Sequence, residues 1–223
     1  MTHDIENTYN IDVKTEEIID YYLQAVRIRE IERYGHLAKK FRNNVAEHCF
    51  MMIVLADKLI AHYNFDLDFR KVVRYIYLHD WGEIGMKQDI PAVTKSKGDN
   101  RDLVKQKEFQ NATALLSEFG LSSDIADYQS YENLETEESK FVMALDKLEC
   151  PLFIIKSGLD NIITSCIKNG VFKNKGFTSV EHIIDFEVNY PKKAIALYPP
   201  IKDFAEAIMN RIKQQVARFK LQN

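Results

Sequence analysis

Glycine and proline are scarce in this chain: 223 residues contain 8 and 5 of them. So few breakers argue against a turn-rich architecture. The long stretches of Leu, Ile, Ala, Lys and Glu between them argue for an all-α fold. Cysteine is scarcer still. Cys49, Cys150 and Cys166 stand in apolar or helical contexts with no CxxC spacing, which excludes a disulfide framework and reads as reduced, buried thiols. No apolar run approaches the length needed to span a bilayer, and the start "MTHDIENTYN" is polar and acidic, unlike a signal peptide. The cytoplasm is therefore the expected location, with no membrane partner. A basic excess is also missing. The formal net charge of −3 argues against a nucleic-acid polymer as partner, while leaving small anionic substrates open. What the chain does have is 46% apolar and 28% charged residues, enough to bury a core. No repeat or low-complexity linker divides it, so residues 1–223 are expected to form a single domain.

Helical periodicity organises the chain. Thr15 caps a predicted helix running to about Arg33, with Ile18, Ile19, Tyr22, Val26 and Ile31 as its apolar positions, and Gly35 ends it. Asn43 or Asn44 caps a second helix carrying Val45, Cys49, Met52, Ile53, Ala56 and Leu59. A third runs from near Phe69 to His79, and "DIPAVTKSKGDN" is a loop. Further helices are predicted from Asp99 or Asn100 to Phe119, from Ser123, and from Thr136 through Ile155 with a kink at Pro151. "SCIKNGVFKNKGFTSV" reads as a loop or short turns, followed by helices near 179–189 and 199–221.

Against this pattern one stretch stands out: "YLHDWGEIGMKQDIP", residues 77–91, places His79, Asp80, Glu83 and Asp89 within a dozen positions. His79 and Asp80 continue the apolar stripe of Val72 and Ile76. His48 lies one turn before Met52, and Asp146 has Val142, Met143, Cys150 and Phe153 as its helical neighbours. Taken singly, each has a plain structural reading as a satisfied core histidine, a cap or a salt-bridge partner. An ionised carboxylate among apolar neighbours nevertheless costs several kcal/mol unless a partner or cation offsets it. Two imidazoles and two carboxylates aimed inward from three helices are explained together by one divalent metal ion. Glu83, four residues past His79, would stand one turn above the site and within reach of a water proton, although a solvated glutamate fits the spacing equally well.

The order His48, His79-Asp80, Asp146 resembles the H…HD…D signature of the HD-domain metal-dependent phosphohydrolases. The wording "VAEH", "HDWGE", "DIPAVTK" and "LDKLE" is similar to the bacterial 5'-deoxynucleotidases and their HD-domain-containing eukaryotic relatives, over roughly residues 20–155. The resemblance implies a compact multi-helix bundle with the metal between helices, a possible homodimer, and one divalent ion (Mn, Co, Zn, Fe or Mg) on His48, His79, Asp80 and Asp146. It implies that Glu83 assists the attacking water and that Asp89 positions water and substrate, although Asp89 falls one residue later than in the family. It further places Arg33 and Lys95 on the substrate phosphate. Tyr34 occupies the position of a family tryptophan that crowds the sugar, so discrimination against a 2'-hydroxyl is open.

The expected activity is removal of phosphate from a (deoxy)nucleoside 5'-monophosphate by a metal-activated water. Rival readings are a nucleoside triphosphate triphosphohydrolase, with Lys97 and Arg101 as extra phosphate contacts, an enzyme for another nucleotide, and a non-catalytic metal-stabilised sensing module. In the unaligned C-terminal part, Phe172, Phe177, Phe186, Tyr190 and Tyr198 serve either the core or an interface.

Overall fold

The computed structural model describes residues 13–35, 37–87, 89, 100–118, 122–169 and 177–222. Among them the chain is all-α apart from one two-residue strand pair. The helices are α1 Val13–Val26, α2 Val45–Tyr63, α3 Phe69–Leu78, α4 Trp81–Met86, α5 Asn100–Glu118, α6 Ser122–Glu132, α7 Glu137–Ser157, α8 Leu159–Lys168, α9 Val180–Asn189, α10 Lys192–Leu197 and α11 Lys202–Gln222.

The first helix stops earlier than its periodicity predicts. After Val26 the chain tightens into a 3-10 turn over Arg27–Glu30 and then becomes extended. Glu32 pairs with Asn44 and Arg33 with Asn43 in antiparallel register, as strands β1 (Glu32–Arg33) and β2 (Asn43–Asn44). This small ladder takes up backbone groups that a longer helix would have used, and it pins Arg33 beside the start of α2. Asn44 caps α2 reciprocally with Glu47, which fixes where the helix begins and hence which face carries His48. Asp68 caps α3 through the amides of Arg70 and Lys71, and Thr136 caps α7 with Ser139.

Helix α7 runs through Pro151 as one element and forms the central post of the main core. Phe141, Val142, Ala144, Leu145 and Leu148 pack with Met52 and Ala56 of α2, Val72 and Ile76 of α3, and Ala205, Ile208 and Ile212 of α11. A second cluster joins Leu37 and Ile154 to Leu159, Ile163, Phe177 and Ile183, and a third joins Leu78, Trp81 and Ile84 to Ala112 and Leu116. Gly82 and Gly85 make the third possible. A β-carbon on Gly82 would strike the Glu108 backbone, and one on Gly85 would meet the Asn111 side chain. So α4 lies against α5 closer than any side chain permits.

The segment expected as loop from Ser165 is helical as far as Lys168, because Ile162, Ile163 and Cys166 bury one face of α8. Phe172 lies outside the described residues. Phe177, Tyr190 and Tyr198 are buried and Phe186 packs on the second cluster, so these C-terminal aromatics serve the chain's own core. Among the described residues no single helix is long and apolar enough to cross a membrane. Helices α7 and α8 together reach that length but bend by 90° at Gly158, whose φ of 83° favours glycine.

Candidate metal centre

Three helices deliver the predicted ligands to one place. His48 sits in the first turns of α2, fully buried on the stripe of Cys49, Met52 and Ala56. His79 ends α3, and Asp146 projects from the middle of α7. Their ligand atoms all lie within 4.8 Å of one another. Asp80 borders this trio without belonging to it, its Oδ2 3.1 Å from His79 Nε2 and 3.8 Å from Arg33 Nη1. It stands at the N-cap of α4 yet makes no capping hydrogen bond, so the plain reading of Asp80 as a helix cap fails.

The imidazoles are held by their outer nitrogens. His79 Nδ1 lies 2.6 Å from the Ile76 carbonyl and His48 Nδ1 lies 2.8 Å from Glu149 Oε2. Both oxygens accept, so each Nδ1 donates and each Nε2 presents its lone pair inward, the arrangement that second-sphere partners impose on metal-binding histidines. Both Nε2 atoms are buried without a hydrogen-bond partner among the described residues. His48 Nε2 instead faces Asp146 Oδ1 at 3.3 Å. Two orphaned nitrogens opposite carboxylate oxygens fit a divalent ion bound by mixed nitrogen and oxygen donors.

The charges point the same way. Burial opposes ionisation of Asp146, but Lys147 and His48 outweigh it and hold the carboxyl well below its usual range. Burial likewise opposes ionisation of Asp80, where His79, His48 and Arg33 win. At His79 burial favours the neutral ring, yet Asp80 lifts the pKa well above its ordinary value. That proton belongs on Nε2, and an ion bound there would displace it and take up the lone pair.

The further candidates stand as follows in the fold. Glu83 is buried in the first turn of α4. Arg33 is nearly enclosed, and Asp80, Glu149 and the half-buried Asp89 all act on its charge. Tyr34 takes a left-handed backbone with φ of 57°. Its ring stacks on Phe153 at 4.5 Å between centroids, and the Arg33 guanidinium carbon lies 5.7 Å from the Tyr34 ring centre. Tyr34 thus buttresses Arg33 from the core. Lys95, Lys97 and the Arg101 side chain lie outside the described residues.

A cleft of about 490 Å³ opens beside the ligands. His79, Asp80 and Asp146 form part of its lining, with Tyr131 and Glu132 of α6, Lys147 of α7, Lys105 of α5 and Lys193 of α10. Arg33, Tyr34 and Glu83 are not among its lining residues.

A family model described as HD domain matches residues 25–175. The chain belongs to the HD-domain family. A solved structure from Magnetospirillum magnetotacticum MS-1, described as a predicted metal-dependent phosphohydrolase, is similar at a TM-score of 0.62 and 20% identity, covering 92% of this chain and 97% of that one. At that identity the likeness speaks for the fold alone. No curated protein matches the chain. The HD-domain assignment and the His48–His79–Asp146 cluster together support a divalent-metal hydrolase.

Glu149 has no role in the sequence reading, although it stands three residues after Asp146 and hence beside it on α7. That spacing is the signal that could have found it. Lys105, Lys147, Lys193 and Tyr131 carry no such signal, since they meet only across four helices.

Proposed function

We propose that this HD-domain protein is a metal-dependent phosphohydrolase that releases phosphate from (deoxy)nucleoside 5'-monophosphates. The observation that carries this reading is that an enclosed guanidinium, Arg33, lies 3.8 Å from Asp80, and that a buried carboxylate, Glu83, follows it in the first turn of α4. A purely structural centre has no use for either.

A divalent ion held by His48, His79, Asp146 and Asp80 would supply Lewis acidity toward a phosphate oxygen and toward water. Glu83 accepts the proton of the attacking water, and Asp89 orients that water and the substrate. Arg33, braced by Tyr34, donates hydrogen bonds to the non-bridging oxygens as negative charge builds on them. Lys95 serves the same anion. The water oxygen bonds to phosphorus, the P–O5' bond breaks, and the nucleoside leaves with the proton that Glu83 collected. Among the family's chemistries, a monophosphate matches a single enclosed arginine best.

The test is metal analysis followed by phosphate release from mono- and triphosphates, each with ribose and deoxyribose. Monophosphate turnover is expected. Glu83→Gln should keep the metal and lose about 10²–10⁴-fold in turnover. Full turnover by that variant, or no release from any monophosphate by the metal-loaded protein, would overturn the reading.

A further inference from the structure

The cleft beside the metal centre is lined by two chemically different sets of residues. The cations of its charged set already have partners. Lys147 Nζ lies 2.5 Å from Asp146 Oδ2, Lys105 acts on Glu132, and Lys193 sits 4.7 Å from the Tyr190 ring centre. Cations already committed to carboxylates and a ring face make a poor polyphosphate channel. The other set is apolar: Leu134, Met143, Ala196 and Leu197. A pocket of this size in which apolar residues stand among charged and aromatic ones suits an organic ring system, which buries its faces while its edges hydrogen-bond.

Leu134 carries the point further. It occupies the turn between α6 and α7 with φ of 55°, a left-handed conformation that strains an L-residue and that glycine adopts freely. The protein keeps a branched apolar side chain there and places it in the cleft lining. Ala196 and Leu197 come from α10, beyond residues 25–175 that the HD-domain model matches. The shared HD core supplies the ligands, and a segment outside it supplies one wall.

We propose that Leu134 and Leu197 are specificity-determining residues that clamp the nucleobase, so that the leaving nucleoside occupies this cleft while the phosphate faces Arg33 and Glu83. The inference rests on the nucleotidase reading above. It assigns the C-terminal helices a part in substrate choice.

The test compares a nucleoside 5'-monophosphate with ribose 5-phosphate, which has a similar scissile ester and no base. Leu134→Gly removes the side chain at a position where glycine is relaxed, so the fold is expected to hold and the thermal midpoint not to fall. KM for the nucleotide should rise roughly tenfold or more, with kcat little changed and kcat/KM for ribose 5-phosphate unaltered. Leu197→Asp should do the same from α10. Equal loss on both substrates, or no change in nucleotide KM in either variant, overturns the clamp and leaves the nucleotidase reading standing. A wild-type protein that hydrolyses ribose 5-phosphate but no nucleotide overturns that reading and the clamp with it.

Discussion

Two charge clusters in this protein, one partly buried and one enclosed, differ in closure. In one, Arg74 of α3 donates from Nε to Asp127 and from Nη2 to Asp124, both on α6. The guanidinium fork meets two carboxylates, and helix is tied to helix. In the other, His48, His79, Asp80 and Asp146 gather at 3.1–3.3 Å between neighbouring imidazole and carboxylate atoms, yet both Nε2 nitrogens have no hydrogen-bond partner among the described residues. The first cluster is complete as protein. The second has lone pairs and negative charge directed at one point, which only a cation completes. Closure, more than the presence of charge, separates a structural ion pair from a binding centre.

Removing a ligand should break the contrast most severely. His48→Ala is expected to carry almost no divalent metal and to lose turnover to background, read by elemental analysis and phosphate release. Metal should raise the thermal midpoint of the wild type and leave that of this variant unmoved, since only an ion bound to the folded state stabilises it. Next comes the outer partner. Glu149→Ala should leave the ligands in place but lower metal affinity by about 10–100-fold, measured by competition with a chelator.

Arg74→Ala sharpens the comparison from the other side. It removes the cation facing the buried Asp124 and should cost about 1–3 kcal/mol of stability, with metal content and turnover per folded molecule unchanged. The smallest effect concerns Glu187, a buried carboxyl of α9 whose Oε2 has no hydrogen-bond partner among the described residues. Burial pushes its pKa up to about 8. Its folded pKa exceeds its unfolded value of 4.5, so the folded state holds the extra proton between those values. Stability therefore falls as pH rises through that window. Glu187→Gln should raise the thermal midpoint at pH 8.5 by about 2–4 °C, the shift of ~1 kcal/mol in a chain of this size, and should gain little at pH 4.5.

How much of this was legible beforehand follows from the range of each signal. The caps at Asn44 and Thr136 and the stripes of α2 and α3 involve residues a few positions apart, and they fall where spacing predicts. The end of α1 and the helical run over Ser165–Lys168 do not, because strand pairing with Asn43–Asn44 decided one and burial of Ile163 and Cys166 decided the other. At the site the ligands were legible as inward-facing polar residues. Tyr34 was readable as a substitution for tryptophan, but its stacking on Phe153 was not.

Helical period, capping chemistry and the inward placement of His48, His79, Asp80 and Asp146 were determined by the sequence itself, since each depends on neighbours within two turns. Tertiary structure alone decided that three helices meet within bonding reach of one point, that Glu149 orients His48, and that α10 walls the cleft. Those facts depend on packing between segments up to a hundred residues apart, and no local periodicity encodes such distances.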